Sequence, residues 1–465
     1  MFKKIAAGCV LVIVAAWLVS VAVVHRFDSD RVETVKGGKI EKILVAHGCD
    51  YCHTPSAKLP FYANMPVSKQ LMQNDIQTGM RHFDIRPTLA ALQQNTAVPE
   101  ADLAKMQVEI ARNEMPPPLY KVMHWSGFMS EQDRTTLEQW IVGEREKYYT
   151  PPTTPEVIRG NIVLPLPYSL PTNPHKVALG EELFNDTRLS KDNTLSCASC
   201  HVLNNGGADG RITSWGVDAQ RGPINAPTVF NSAFNLTQFW DGRAKDLQEQ
   251  ADGPVQNPVE MGSAWPQAIA KLNQDAPLKA RFERVYPAGF TSLNITDAIA
   301  EFEKTLLTPG SPFDRYLSGD ASALTAQQKR GYQSFIKYKC GTCHTGTNLG
   351  GQSFELMGLK ADYFADRGQI TNADFGRYNV THIERDRFRF KTPTLRNISL
   401  TGPWFHDASA TRLSDAVKIM LKYQVGVSLP DSDVSDLVAL LESMKGVYTP
   451  TPLLNPASEA STGQH

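Results

Sequence analysis

Apolar positions recur every three or four residues through much of this chain. “KVALGEELF”, “ITDAIAEFEKTLL”, “TAQQKRGYQSFIK” and “DVSDLVALLESM” all carry that spacing, which gathers apolar side chains on one face of a helix. No run alternates apolar and polar residues convincingly enough to read as a strand. An all-α fold is expected. Two stretches break the helical pattern. Ile5 to Val24, “IAAGCVLVIVAAWLVSVAVV”, is apolar all round, and about 20 such residues cross a bilayer as a helix. Tyr148 to Pro174, “YYTPPTTPEVIRGNIVLPLPYSLPTNP”, is too rich in proline for helix and reads as a semi-rigid linker.

Lys3 and Lys4 precede the apolar run and favour keeping the short tail in the cytoplasm. The rest of the chain then lies beyond the inner (cytoplasmic) membrane, in the periplasm of a Gram-negative host. A cleaved signal peptide is the alternative. The run is long for a signal core, and no small-residue cleavage site follows Val24. A single-pass anchor is therefore preferred, with Cys9 facing lipid. A chain of 465 residues needs several domains. Its net charge of −1 gives no reason to expect a nucleic-acid partner.

Six of the seven cysteines form one repeated pattern. It reads “CDYCH” at Cys49, Cys52 and His53, “CASCH” at Cys197, Cys200 and His201, and “CGTCH” at Cys340, Cys343 and His344. C-x-x-C-H is the attachment site of c-type haem: both thiols bond the porphyrin and the histidine reaches the iron. Zinc pairs and redox disulfides are the alternatives. Neither needs a histidine after every pair. Three covalent haems are expected, each in a small cytochrome c-like domain. The boundaries are 1–30 for tail and anchor, 31–147 for the first haem, 148–174 for the linker, 175–320 for the second haem and 321–448 for the third. Residues 449–465 read as a disordered tail.

The last two regions repeat each other. “PTVFNSAFNLTQFWDG” from Pro227 matches “PTLRNISLTGPWFHDA” from Pro393 at a constant offset of 166. Asn231 falls on Asn397, Phe239 on Phe405, Asp241 on Asp407 and Leu247 on Leu413. Such self-similarity marks duplicated units. The same register sets Pro254 opposite Met420. Methionine can complete a His/Met iron site, which suits electron transfer; proline cannot. His344 and Met420 are thus the expected ligands of the third haem, while the second has His201 and an open position. A core methionine is the alternative for Met420. An open iron that uses peroxide needs a positioned proton carrier. Glu260, in “VQNPVEM” after Pro254, is a candidate, with Gln250 ten residues before it.

“QFWDGRAKDLQEQADGPVQNPVEM”, “FEKTLLTPGSPFDRYLSGD”, “CHTGTNLGG” and “TPTLRNISLTGPWFHD” resemble the bacterial dihaem cytochrome c peroxidases over roughly residues 165–447. With the extra haem region and the anchor, the whole chain resembles the membrane-anchored trihaem quinol peroxidases of enteric bacteria. The resemblance implies reduction of hydrogen peroxide with electrons from a quinol, a cytochrome c, or both. It implies that Glu260 and Gln250 line the peroxide pocket, that Trp240 lies between two haems, and that Met420 ligates the electron-donating haem. It also implies calcium held by Asn225, Thr401 and Pro403, the last two through backbone carbonyls.

One loop departs from that family. “SWGVDAQRGPINAPT” has Val217 near the place where many relatives carry a histidine that blocks the peroxidatic iron. The pocket is therefore expected to be open without reductive activation, with His175 and His406 as the histidines whose spacing still permits ligation. The sixth ligand of the first haem is less legible. Met65, Met72, Met80, Met106, Met115, Met123, Met129, His82 and His124 are all available. Met115 is preferred because “NEMPPP” holds an extended segment, with Met123 and Met129 next. “RDRFRFK”, 385–391, reads as a solvated face, haem-propionate contacts or a docking patch for a donor. Two other functions stay open. A haem enzyme oxidising a protein side chain would have tyrosine where Met420 stands. A multihaem electron carrier would gain nothing from an open iron.

Overall fold

The computed structural model describes residues 2–450, with side chains from Ile5 onward. Of the tail expected to be disordered, residues 451–465 lie outside the described residues. The chain divides into two compact units, one of residues 1–150 with 159–161, the other of 151–158 with 162–465. The division falls inside the proline-rich stretch. Among the described residues the chain is mostly helical.

The first unit holds α1 (Phe2–Thr34), α2 (Lys39–Ala46), α3 (Cys49–His53), α4 (Pro66–His82), α5 (Arg86–Gln94), α6 (Glu100–Arg112), α7 (Pro118–Met123) and α8 (Glu131–Tyr148). α1 contains the one helix span among the described residues that is long and apolar enough to cross a membrane. It does not stop where the apolar run stops. One stripe of it, Val21, Val24 and Asp28, is buried by the rest of the unit. Asp28 Oδ2 accepts from His124 Nδ1 at 2.8 Å and from Ser126 Oγ at 2.9 Å. Asp28 Oδ1 accepts from Tyr51 Oη at 2.7 Å. Ile43, Leu44, Leu103, Ile110, Leu137 and Ile141 form the core.

The second unit holds α9 (Pro174–Phe184), α10 (Cys197–Cys200), α11 (Leu247–Gln256), α12 (Trp265–Leu272), α13 (Ala276–Val285), α14 (Ser292–Glu303), α15 (Pro312–Leu317), α16 (Ala326–Lys337), α17 (Tyr363–Arg367), α18 (Tyr378–Thr381), α19 (Leu413–Met420) and α20 (Asp431–Glu442). Two helix pairs organise it. α9 crosses α14 at Gly180, where a Cβ would stand 1.9 Å from Ala298 O. α16 crosses α20 at Gly331, where a Cβ would stand 2.0 Å from Asp436 O. Only glycine lets the backbones approach so closely. α14 buries Ile295, Ile299 and Phe302 in a core of this second unit, and burying each such side chain stabilises by about 1.5–3 kcal/mol.

The repeat is visible in the backbone. Asn231 and Asn397 take φ of 60° and 55°, Phe239 and Phe405 of 66° and 71°, Gly242 and Ala408 of 69° and 56°. Each pair is 166 residues apart, as are the isolated bridges Gln238–Ala244 and Trp404–Ala410 and the first residues of α11 and α19. A phenylalanine in the left-handed region is strained, and here both copies carry it. The fold is not wholly helical, however. β1 (Phe354–Leu356) pairs antiparallel with β2 (Arg389–Lys391). That ribbon corrects the reading of “RDRFRFK” as a solvated face, because Arg389 and Lys391 are buried in it. Burial pushes the Lys391 amine down to about 8.

Candidate active site

The histidines of the three C-x-x-C-H motifs are held alike. His53 Nδ1 donates to Phe83 O at 3.1 Å. His201 Nδ1 donates to Gly207 O at 3.3 Å. His344 Nδ1 donates to Leu349 O and Pro393 O, both at 3.2 Å. A carbonyl only accepts, so the proton sits on Nδ1 and Nε2 keeps its lone pair. Iron ligation through Nε2 requires that tautomer. Burial pushes all three rings toward the neutral form. The six motif cysteines form no disulfide, and all are half-buried. Burial raises Cys49, Cys52 and Cys340 to about 12 and lifts Cys197 and Cys200 as well. Without a bound partner such thiols are protonated and are poor redox nucleophiles, which need thiolate. Paired neutral thiols beside a histidine with a free Nε2 fit covalent haem.

The second motif has carboxyls near each thiol. Glu303, whose Oε2 has no hydrogen-bond partner, is raised to about 8 by burial and acts on Cys197. Glu260 acts on Cys200. Burial also raises Glu260, while the hydrogen bond from Asn257 and the charge of Arg243 pull it down. Asn257 Nδ2 donates to Glu260 Oε1 at 2.6 Å. Gln250 and Pro254 stand one turn apart on α11, whose Leu247, Ala251 and Val255 are buried. The loop around Val217 closes on the same turn. Val217 N donates to Glu260 O at 2.8 Å, and its side chain is buried.

Trp240 joins the two halves of this unit. Its Nε1 donates to Asn225 O at 2.9 Å, and its carbonyl accepts from Lys391 N at 2.8 Å. Its ring lies edge-on to Phe390 and His406, with centroids 6.5 and 6.3 Å away. His406 stacks on Phe390 at 4.2 Å and bonds Asp374 Oδ1 through Nε2 at 2.7 Å. That engagement takes His406 out of the set of spare ligands. His175 is exposed at the start of α9. Asp374, His406 and Asp407 lie close enough to hold a metal, but Arg367 bonds both carboxylates and offsets part of their charge. Asn225 is buried. Its Nδ2 donates to Arg211 O at 2.7 Å, and its backbone N donates to His406 O at 2.8 Å. That second bond ties it to the segment that carries Thr401 and Pro403. Met420 ends α19, and a π-helical turn over Leu421–Val425 follows it directly.

In the first unit several spare ligands are removed. Met106 is buried in the core, and Met129 packs against it. His124 has both ring nitrogens engaged, because Nδ1 faces Asp28 and Nε2 accepts from Tyr62 Oη. Phe83, which follows α4 and its Met72, Met80 and His82, lies on the Nδ1 side of His53. Met65 and Met115 are exposed. The Asp28–His124 pair and the Asn257–Glu260 bond were not anticipated from sequence. Only the Asn-Pro turn of “VQNPVEM” hinted at the second.

Paired C-x-x-C-H regions with glycine-crossed helices and a shared loop motif define a dihaem c-type unit. The family described as Di-haem cytochrome c peroxidase matches residues 174–322, and a haem-binding domain family matches residues 13–142. Cytochrome c peroxidase Ccp of Escherichia coli K12 is 54% identical over 89% of this chain and 89% of its own. Cytochrome c551 peroxidase of Pseudomonas aeruginosa is 44% identical, over 63% of this chain and 85% of its own. Among solved structures, a MauG-like protein associated with microbial copper homeostasis is 27% identical with a TM-score of 0.55, over 64% of this chain and 95% of its own. The dihaem peroxidase BthA of Burkholderia thailandensis is 20% identical with a TM-score of 0.50, over 62% of this chain and 92% of its own, and supports the fold alone. The chain belongs to the di-haem cytochrome c peroxidase family. It is a haem c peroxidase, an enzyme that reduces peroxide with electrons from a carrier.

Proposed function

We propose that this chain is a trihaem peroxidase anchored in the inner membrane by α1, with its haem regions in the periplasm. Cys49 and Cys52, Cys197 and Cys200, and Cys340 and Cys343 would hold three haems, and His53, His201 and His344 would ligate their irons. The haem groups supply electron storage and, at the second motif, an iron that binds peroxide. The observation that carries this reading is the shared register of α11 and α19, which sets Pro254 where the other copy has Met420. Met420 completes the third site and Met115 the first. The second stays open, and the buried Val217 offers it no ligand.

Glu260 moves the proton. It takes a proton from the inner oxygen of bound peroxide and returns it to the outer oxygen as that bond breaks, so that one peroxide, two electrons and two protons give two waters. Asn257 holds the Glu260 carboxyl in place, and Gln250 orients peroxide. With haem bound, the first region would take in electrons, the third would store them, and Trp240 would stand on their way to the second. Asn225 and the carbonyls of Thr401 and Pro403 hold calcium, an oxygen-only set that suits that ion. The anchor reading is supported by Val21 and Val24, both buried; cleavage after Val24 would strip two core side chains from the first unit. The donor is a quinol, with a soluble cytochrome c as a second route. Steady-state peroxide reduction by the purified holoprotein tests this, first with a quinol and then with reduced cytochrome c. Turnover with neither donor would defeat the reading of the donors.

A further inference from the structure

We propose that one edge of the first unit, α7 with Trp125 and Phe128, is a membrane-docking face whose occupant is the lipid of the outer leaflet. The proposal rests on the reading of α1 as an anchor. Trp125 lies edge-on to Trp17 of α1, with ring centroids 6.2 Å apart. Trp17 is inside the apolar run, seven residues before its end at Val24. At 1.5 Å per residue that is about 10 Å toward the bilayer centre. The run of Ile5 to Val24 matches a hydrocarbon core of about 30 Å. A bilayer thick enough to cover it must also cover Trp125. If the hydrocarbon ended at Trp17 instead, only Ile5 to Trp17 would remain. That stretch spans about 20 Å, too short for the core.

The polarity of the edge agrees. Between 118 and 128 every exposed residue is apolar: Pro118, Leu119, Val122, Trp125 and Phe128. The polar residues of the same stretch turn inward. Lys121 and His124 are buried, whereas Leu119 and Phe128 are 63% and 64% exposed. In water that arrangement is inside out. At a lipid surface it is the expected one, with tryptophan at the boundary. The first haem motif then sits at the membrane surface. Tyr51, between its two cysteines, bonds Asp28, which is about 6 Å past Val24 along α1. A lipid-soluble donor can reach that level without leaving the bilayer.

The test uses the full-length holoprotein in phospholipid nanodiscs that contain a lipid with a diazirine on its acyl chain. After illumination, peptides are mapped by mass spectrometry. Label is expected in residues 119–128 as well as in 5–24. Label confined to 5–24, with 119–128 bare or cross-linked to another polypeptide, would overturn the docking face. Absence of label from 5–24 would instead overturn the anchor itself, together with the face that depends on it.

Discussion

Glu260 and Glu303 are both lifted by burial, and each acts on a different thiol of the second motif. Their consequences differ, because in the proposed function Glu260 exchanges a proton with substrate and Glu303 does not. Glu260→Gln keeps the shape and loses the proton. It should keep haem content and lower kcat by about 10²- to 10⁴-fold, read by stopped-flow or steady-state peroxide reduction. Glu303 is a matter of stability. Its carboxyl titrates near 8 in the folded protein against an ordinary 4.5. Between those values the folded state holds a proton that the unfolded state has released. This contribution is therefore fully present below the ordinary value and is lost as pH rises through the folded one. The thermal midpoint of wild type should fall between about pH 5 and pH 8.5, and Glu303→Gln should flatten that fall. Equal slopes in both proteins would show that Glu303 is ionised when folded.

α11 and α19 start 166 residues apart, and in that register Pro254 stands opposite Met420, the ligand of the proposed function. Exchanging that difference is the direct test. Met420→Ala should convert one low-spin haem to high spin in the EPR spectrum of the oxidised protein. Pro254→Met should do the reverse at the second motif and depress peroxide turnover. Three low-spin haems in wild type would show that the second site is already closed. This register was legible in the sequence because the two copies share side chains at one offset, and the left-handed backbone at Asn231 and Asn397 follows the same offset. The ribbon of β1 and β2 was not legible. Its strands have three residues each and join segments about 35 positions apart, too short for alternation to register. Arg389 and Lys391 read as surface because charge in a sequence carries no information on burial. The Asp28–His124 pair spans 96 residues and leaves no local pattern at all.

Across the whole molecule, the state of one region can control access to another only if a ligand moves. The Gly216–Gln220 turn offers none, since Val217 is buried and tied to Glu260 O. Of the two histidines whose spacing permits ligation, His406 is held by Asp374 and Phe390, and His175 is exposed at the start of α9. The fully oxidised protein should therefore bind cyanide at the second motif without prior reduction, within the mixing time of a stopped-flow trace. Binding seen only after one-electron reduction would restore a gated enzyme. The helices and the three motifs were legible at this scale because each is a local pattern. The aromatic bridge of Trp240, Phe390 and His406 was legible only at Trp240, since its other members arrive from the far half of the fold.

The two glycine crossings bear on how the molecule is made. α9 closes on α14 at Gly180 and α16 on α20 at Gly331, and each crossing lies within its own copy of the repeat. Neither clasp uses a residue of the other. If haem attaches at Cys340 and Cys343, attachment there is expected to need the second clasp rather than the first, so that maturation should proceed region by region. A Gly331→Ala chain, with a methyl group forced against Asp436 O, should leave the cell carrying one haem fewer than wild type, counted by the pyridine haemochrome spectrum and by intact mass. Loss of every haem would mean that the regions are finished together.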